Sequence, residues 1–294
     1  MPELQIHQLT KSYGPVRALD QVTLEIGKGL FGLLGPNGAG KSSLMRTLAT
    51  LQEPDSGRVL FSGADIHQHP YALRRQLGYL PQDFGVYPRL SAVELLNHLA
   101  VLKGIENRNE RREQVLALLQ RTNLYDVRNR AVSGYSGGMR QRFGVAQALL
   151  GDPKLVIVDE PTAGLDPEER NRFHDLLGEI GERVIVLLST HIVEDVSELC
   201  SDMAVLAEGR VILRGRPAAL REKLAGTVWR KEIRREEVAH YRATCAVLSE
   251  RRREGHIQLH VLAAERPATG FEPVTPGLED VYFSAMAGTK GGAV

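Results

Sequence analysis

The chain has 294 residues, enough for two ordinary domains or for one larger α/β unit with an appendix. A formal net charge of +1, with 25% charged residues, argues against a dominant nucleic-acid-binding face. The apolar runs are far shorter than the roughly 18 residues of a spanning helix, and no charged leader is present. Cys200 and Cys245 lie far apart and indicate neither a disulfide framework nor a zinc site. We therefore expect a cytoplasmic protein that does not itself cross a membrane.

The chain begins with a strand-rich segment. Strands are predicted at residues 4–9, 22–26 and 30–34. A loop is predicted at residues 11–17, and it contains Tyr13 and Val16. Two roles are open for Tyr13: its ring can stack on a nucleobase, with Val16 packing nearby, or it can simply cover the surface.

The stretch from Gly35 to Ser43 matches the phosphate-loop pattern G-x-x-x-x-G-K-[ST] and lies between a buried strand and a helix, as that pattern requires. Its glycines allow the backbone amides to point at the β- and γ-phosphates of a nucleotide. Lys41 adds a cation and Ser42 a hydroxyl for Mg²⁺. The alternative is a glycine-rich turn with a chance lysine. The residues assigned to this site are Gly35, Asn37, Gly38, Ala39, Gly40, Lys41, Ser42 and Ser43.

A short hairpin is predicted at residues 57–63, and then a strand that ends in Pro81 and leads to Gln82. From Ser91 the pattern changes to that of helices. Ser91 and Glu94 form a capping box for a helix to about Lys103, and a second helix is predicted at 109–120. We interpret residues 83–150 as a helical insert between two strand-rich halves.

Two carboxylates follow the apolar run 155–158, which is typical of a strand buried on both faces of a parallel sheet. Because active-site groups gather at the carboxyl ends of such strands, Asp159 and Glu160 are candidates for binding a metal and a water. The alternative is two acids at an exposed strand end. A further buried strand at 183–188 leads to His191 at the same edge, where a structural role is also open.

The composition changes after Leu224. We predict strands at 244–249 and 256–261 and interpret the arginine run Arg251–Arg253 as part of the solvated turn between them. The predicted division is a first domain at 1–224, an accessory domain at 225–287 and a disordered tail at 288–294.

Taken together, these motifs resemble the ATP-binding cassette (ABC) ATPases in order and spacing, over residues 3 to about 224. The matching elements are the phosphate loop, Gln82, Ser136-Gly137-Gly138, Asp159-Glu160, Ala163-Gly164-Leu165-Asp166 and His191. The resemblance implies an α/β fold, the P-loop NTPase cassette with a mixed sheet core, an antiparallel β subdomain, a helical subdomain and a small C-terminal α+β extension.

The resemblance also implies roles for individual residues, with ATP and Mg²⁺ as cofactors. Tyr13 would stack on adenine, Ser42 and Asp159 would hold Mg²⁺, and Gln82 would reach the metal or the attacking water. Glu160 would be the general base and His191 would contact the γ-phosphate. The segment Ser136-Gly137-Gly138 would bind the ATP of an opposite subunit, and Asp166 is assigned to the nucleotide as well, so we expect a homodimer.

The signature segment differs from the usual Leu-Ser-Gly-Gly-Gln of the family, because Tyr135 and Met139 replace its first and last residues. This variant and the segment 276–283 resemble the branch that serves export-type permeases, including drug and antibiotic efflux systems. We therefore expect an ATPase subunit on the inner face of the cell membrane, attached through a separate permease that contacts the loop 83–89. The alternative is a soluble ABC protein acting on nucleic acid or ribosomes; no nucleic-acid partner is expected.

Overall fold

The computed structural model of the chain describes residues 3–85, 87–162, 165–253 and 255–291. Its strands are β1 (Leu4–Tyr13), β2 (Val16–Ile26), β3 (Gly29–Leu34), β4 (Ser56–Phe61), β5 (Ala64–Asp65), β6 (Leu77–Leu80), β7 (Leu155–Asp159), β8 (Ile185–Thr190), β9 (Asp202–Ala207), β10 (Arg210–Gly215), β11 (Val228–Ile233), β12 (Ala246–Arg253), β13 (His256–Leu262) and β14 (Glu272–Pro273).

The helices within these ranges are α1 (Lys41–Leu48), α2 (Pro70–Arg74), α3 (Ala92–Leu102), α4 (Arg108–Arg121), α5 (Gly137–Ala148), α6 (Pro167–Gly181), α7 (Val193–Leu199), α8 (Pro217–Lys223), α9 (Val238–Thr244) and α10 (Leu278–Gly291). Two short 3₁₀ turns lie at Val132–Gly134 and Arg235–Glu237. Within the described ranges, no helix is both long enough and apolar enough to span a bilayer.

The central sheet has the strand order β10-β9-β3-β8-β7-β6. All its neighbours run parallel except β10, which is antiparallel to β9. The strands β7 and β8 are buried along their whole length, as the continuous apolar runs predict. Since β3, β7 and β8 run in the same direction, the residues that follow them gather at one edge of the sheet.

A second, antiparallel sheet with the order β2-β1-β4-β5 packs over one face of the central sheet. Alternation along β1 buries Leu4 and Ile6 and leaves Gln5 between them partly exposed. The predicted loop at 11–17 is wrong: β1 extends to Tyr13, which pairs with Val16 in β2. Only Gly14, with a φ of +57°, and Pro15 form the turn, because a tight hairpin needs a residue that tolerates positive φ.

The other face of the central sheet is covered by helices, and α3, α4 and α5 form the predicted helical insert. The capping box at the start of α3 is confirmed. The Glu94 amide donates to Ser91 Oγ at 3.4 Å, and the Ser91 amide donates to the Glu94 carboxylate at 2.9 Å.

The C-terminal region contains a third, antiparallel sheet with the order β12-β13-β11-β14. The interpretation of Arg251–Arg253 as a turn is wrong, since these residues belong to β12 and pair with β13, although they are exposed as expected. Long arginine side chains extend from a strand edge as readily as from a turn. Glu254 lies outside the described residues.

The last helix, α10, returns to the part of the chain before residue 224 and packs against α7, α8 and β10. Its residues Leu278 and Val281 are buried in the same core as Val196 and Met203. The helix ends at Gly291, and residues 292–294 lie outside the described ranges. The disordered tail at 288–294 stays a prediction. The division at 224/225 stays a prediction.

Candidate nucleotide site

The phosphate loop connects β3 to α1, and two of its glycines, Gly35 and Gly40, occupy positions where a side chain would meet backbone atoms. Gly40 has a φ of +105°, and a Cβ there would lie 2.2 Å from the carbonyl oxygen of Ala18. A Cβ on Gly35 would lie 2.4 Å from the carbonyl oxygen of Leu206. The loop is therefore pressed against β2 and β9, and α1 begins directly after it at Lys41. The free amides at this helix start form an anion-binding end.

A cleft of about 410 Å³ opens above the loop. Its lining residues are Tyr13, Ala18, Pro36, Asn37, Gly38, Ala39, Gly40, Lys41, Ser42, Ser43, Gln82 and Glu160. A larger cleft of about 720 Å³ is lined by Lys28, Lys154 and Arg183, among others, where β3, β7 and β8 begin. Because ligands of such sheets bind at the carboxyl ends of the strands, the smaller cleft is the candidate site.

Lys41 is 5% exposed, and its ammonium group is held inside the loop. It donates to the carbonyl oxygens of Gly35 at 2.7 Å and Pro36 at 3.2 Å. Its Nζ also lies 3.4 Å from Glu160 Oε1. This cation is thus placed between the phosphate loop and the end of β7, where it can contact a bound phosphate and the acidic residue together.

Asp159 is the last residue of β7 and is almost fully buried. Burial raises the pKa of its carboxyl group, and the hydroxyls of Ser189 and Ser42 and the Lys41 ammonium act in the opposite direction. Its Oδ1 accepts no geometrically sound hydrogen bond within the described chain. A buried acceptor oxygen beside a serine hydroxyl is the donor set that Mg²⁺ prefers, so these residues fit a magnesium ion.

Glu160 and His191 are brought together from neighbouring strands. His191 directly follows β8, and its Nδ1 lies 2.8 Å from Glu160 Oε2. The Glu160 amide donates to the carbonyl oxygen of Ser189 at 2.8 Å, and its φ of +48° turns the side chain out of the strand direction. A carboxylate fixed by an imidazole and a backbone bond is a suitable arrangement for a general base.

Tyr13 lines the cleft at the end of β1 and is 45% exposed, so part of its ring is accessible. Val16 lies opposite Tyr13 in the hairpin and is exposed, but it is not among the residues that line the cleft. Gln82 follows β6 and lines the cleft with an exposed side chain.

The signature residues lie at the start of α5, outside the cleft lining. Ser136 is the N-cap of this helix, and its hydroxyl accepts from the Met139 amide at 3.2 Å. Ser136 and Gly137 are exposed, whereas Gly138 is buried. The exposed helix start is therefore free to contact a second molecule, and one chain does not bring it to its own phosphate loop.

The two unusual signature residues belong to the core of the helical insert. Tyr135 is buried, its hydroxyl donates to the carbonyl oxygen of Val127 at 2.9 Å, and its ring makes an edge contact with Phe143. Met139 is partly buried against the same core. The substitutions thus change the packing beneath the signature, while the exposed Ser136 and Gly137 are retained.

Asp166 is the N-cap of α6, and its Oδ1 accepts from the Glu169 amide at 2.9 Å. It is not among the residues that line the cleft of the same chain. Ala163 and Gly164, which complete the predicted segment before α6, lie outside the described residues, as does Val86 in the loop 83–89.

Sequence reasoning missed a buried carboxylate behind the site. Asp195 in α7 is 0% exposed and accepts hydrogen bonds from Thr162, Arg170 and His174. It also missed Gln52, which contacts Tyr13, and Glu169, which contacts the signature helix. These residues belong to no short motif. The available signal for Asp195 is its place four residues after His191, at the start of a helix.

Comparisons with known proteins agree with this geometry. A family profile described as ABC transporter matches residues 19–163. The chain is 41% identical over 197 residues to the probable multidrug ABC transporter ATP-binding protein YbhF of Escherichia coli, which covers 66% of this chain. It spans only 34% of that relative's length.

The daunorubicin/doxorubicin resistance ATP-binding protein DrrA of Streptomyces peucetius is 37% identical over 227 residues, which is 76% of this chain and 68% of DrrA. A solved dimeric ATP-binding cassette in a post-hydrolysis state, bound to ADP and Pi, superimposes with a TM-score of 0.66 at 26% identity, covering 72% of this chain and 98% of the cassette. The chain therefore belongs to the ABC transporter ATP-binding protein family, with the ABC ATPase fold.

Proposed function

We propose that this protein is the ATP-binding and ATP-hydrolysing subunit of an ABC transporter, driving a separate membrane permease in the direction of export. The observation that carries the proposal is the contact of Glu160 with both His191 and Lys41, beside the phosphate loop. The names of the multidrug and daunorubicin resistance relatives support export. These names and the family support transport over the alternative of a soluble protein that acts on nucleic acid or ribosomes.

ATP would bind with its triphosphate on the loop amides and its adenine on the Tyr13 ring. On binding, the Lys41 ammonium exchanges its contacts with the Gly35 and Pro36 carbonyls for phosphate oxygens, which carry more charge. Ser42, Asp159 and Gln82 would hold Mg²⁺, which neutralises charge on the β- and γ-phosphates.

Hydrolysis needs an aligned water and positioned charge around the γ-phosphate. The Glu160 carboxylate accepts a proton from this water as the new bond to phosphorus forms, and the bond between the γ-phosphorus and the bridging oxygen breaks. His191 holds Glu160 in place through the 2.8 Å contact and is exposed enough to reach the γ-phosphate. The products are ADP and phosphate.

A complete site would require a second copy of the chain. The exposed helix start at Ser136 and Gly137 presents amides to a phosphate across the interface, and the dimeric form of the similar cassette supports this arrangement. The closing and opening of the dimer would be passed to the permease through the loop 83–89 and the neighbouring helical insert. The protein would then lie on the inner face of the membrane.

The first experiment compares the native chain with Glu160→Gln by light scattering and by release of phosphate, with and without Mg-ATP. We expect Glu160→Gln to lower hydrolysis by about 10²- to 10⁴-fold, to bind ATP still, and to form a dimer when ATP is added. Glu168→Gln, on an exposed turn of α6, is the matched control and should behave as the native chain.

Full hydrolysis by Glu160→Gln would contradict the assignment of the base. A monomer in saturating Mg-ATP would contradict the proposal that ATP alone closes two copies. Co-purification of either form with an integral membrane protein tests the coupling to a permease, and ATP-dependent binding to RNA or DNA in its place would contradict it.

A further inference from the structure

The hydroxyl of Tyr13 is bound to a side chain that reaches it from the far end of the phosphate-loop helix. Tyr13 Oη lies 2.6 Å from Gln52 Oε1. Gln52 follows α1 by four residues and is half-buried, while Tyr13 stands at the rim of the cleft. The contact therefore joins β1 to the segment that leaves α1, across 39 residues of sequence.

The orientation of the Gln52 amide follows from its other two contacts. Its Nε2 donates to the carbonyl oxygen of Ser43 at 3.0 Å and to Thr47 Oγ1 at 2.8 Å. Thr47 itself donates its proton to the Ser43 carbonyl oxygen at 2.8 Å, so its Oγ1 must accept from Gln52. With both donors facing α1, the carbonyl side of Gln52 faces Tyr13, and the tyrosine hydroxyl must donate.

The backbone next to Tyr13 is attached to the same segment. Asp55 accepts from the Ser12 amide at 2.6 Å and from Lys11 Nζ at 2.9 Å. The contact with Lys11 is the main cause that holds the pKa of Asp55 below its usual value, and the Ser12 amide adds to it. The Asp55 carboxylate is therefore charged at neutral pH. The segment 52–55 thus fixes Tyr13 at two points, through its backbone neighbour and through its ring hydroxyl.

We propose that Gln52 is a positioning residue, which sets the Tyr13 ring at a fixed height over the phosphate loop so that a base and a triphosphate bind together. The inference rests on the proposed binding of ATP to this cleft. Ser43 ends the loop that would hold the phosphates, and Gln52 connects it to the ring that would hold the base.

The same contact limits how the base is read. Because the Tyr13 hydroxyl gives its one proton to Gln52, it cannot donate to the acceptor atoms of a base, and the main contact it offers a base is the ring face. Stacking on a ring face tolerates every base, because every base has a π-face. The site should therefore bind adenine and guanine nucleotides with similar affinity.

The test measures binding by calorimetry with three probes, each with Mg²⁺: the imido analogue of ATP, the imido analogue of GTP and inorganic tripolyphosphate. The variants are Tyr13→Phe, which removes only the hydroxyl, Gln52→Leu, their combination, and Tyr13→Ala, which removes the ring. Tyr13 is at the surface, so Tyr13→Phe keeps the test valid even where Gln52→Leu impairs folding.

We expect Tyr13→Phe and Gln52→Leu each to weaken binding of both nucleotide analogues by about three- to tenfold, the effect of one lost hydrogen bond. The combined variant should be no weaker than either one. Tripolyphosphate, which has no base, should bind all variants equally well, whereas a purely structural role of Gln52 would weaken it in parallel.

Three results would overturn the inference. The first is unchanged nucleotide binding in Tyr13→Phe and Gln52→Leu together with weak binding in Tyr13→Ala. This result would support stacking on the ring but contradict a positioning role of Gln52. The second is an equal loss of tripolyphosphate affinity in Gln52→Leu. The third is unchanged binding in Tyr13→Ala, which would also contradict the proposed role of Tyr13 in binding ATP.

Discussion

The hydroxyl of Thr162 donates a hydrogen bond of 2.5 Å to the fully buried carboxylate of Asp195. Thr162 follows Glu160 by two residues, and Thr190, which lies 3.4 Å from the same carboxylate, directly precedes His191. Asp195 is therefore attached to the two chain segments that carry the proposed base and its histidine partner. Arg170 forms an ion pair with it at 2.6 Å and supplies the opposite charge.

Asp195→Asn should strongly destabilise the protein. The substitution removes the charge that Arg170 pairs with and weakens the buried hydrogen bonds from Thr162 and His174. Because Arg170 is 28% exposed and water compensates it in part, we expect a loss of about 1–3 kcal/mol. The free energy of unfolding in urea measures the effect. Glu198→Gln is the matched control, because Glu198 contacts His174 in the same network but is mostly exposed, so we expect a loss within about 1 kcal/mol. Equal losses in the two variants would show that burial of Asp195 is not the cause.

His191→Ala should slow hydrolysis without unfolding the protein. Its side chain is half exposed, so little packing is lost, but Glu160 loses the contact that orients it. We expect kcat to fall by about 10²- to 10³-fold, with KM for ATP changed far less. His98→Ala, on the exposed side of α3, should leave kcat unchanged. A rise in the KM for ATP with kcat unchanged would instead show that His191 contributes only to binding of the substrate in its ground state.

Adding a methyl group at the two signature glycines should change the stability of the protein in opposite directions. A Cβ on Gly138 would lie 2.6 Å from the Glu169 carboxylate, which is held near Arg142, whereas a Cβ on Gly137 meets nothing within 4 Å. We expect Gly138→Ala to cost up to about 1 kcal/mol of stability, measured by thermal unfolding, because the group to be displaced is the end of a flexible glutamate side chain. Gly137→Ala should change stability by less than about 1 kcal/mol, in the favourable direction.

A second substitution separates this clash from a general effect on α5. Glu169→Ala removes the group that the new methyl would displace, so the Gly138→Ala/Glu169→Ala double variant should be more stable than the sum of the two single losses predicts. Additive losses would mean that Glu169 simply moves aside.

Much of the site was predictable because its parts are local. The phosphate loop, the strand ending at Asp159 and the capping box at Ser91 each depend on a few neighbouring residues and a change of hydrophobic period. Gln52 and Asp195 were not predictable, because each acts through partners that are distant in sequence and reach it only in the folded chain. A single glutamine or aspartate forms no periodic pattern and no motif that could indicate its role.

The C-terminal region illustrates the same limit. The sequence predicts the hairpin of β12 and β13 but places Arg251–Arg253 in its turn, because a run of charged residues is typical of an exposed turn. The position of α10 depends on the packing of Leu278 and Val281 in the core that contains Met203. No local pattern encodes which surface a helix will cover.

Leu278→Ala should lower the free energy of unfolding of the main core, because α10 packs into that core. Leu278 is 3% exposed within the main core, and truncation of such a leucine costs about 2–5 kcal/mol. Leu102→Ala is the matched control: Leu102 is 71% exposed, so we expect a change within about 0.5 kcal/mol. Chemical denaturation followed by circular dichroism measures both. A small loss that is confined to a minor early transition would indicate that α10 detaches separately from the core.

The pairing of His260 in β13 with Asp280 in α10, at 2.8 Å, should make the attachment of this helix sensitive to acid. Burial alone would raise the pKa of Asp280, but the His260 ring and the Gly277 amide, which donates at 2.8 Å, outweigh it and leave the pKa below the ordinary value of 3.8. A carboxylate with a depressed pKa stabilises the folded state fully above its unfolded pKa and loses this effect as pH falls through the folded pKa.

The difference in unfolding free energy between the native chain and Asp280→Asn should therefore be constant at pH values well above 3.8 and shrink as the pH falls below that value. Asp152→Asn, which removes an exposed carboxylate in the turn before β7, is the control and should show no such pH dependence. Urea denaturation at a series of pH values measures both differences. A difference that grows on acidification would mean that burial, and not the contact with His260, controls the ionisation of Asp280.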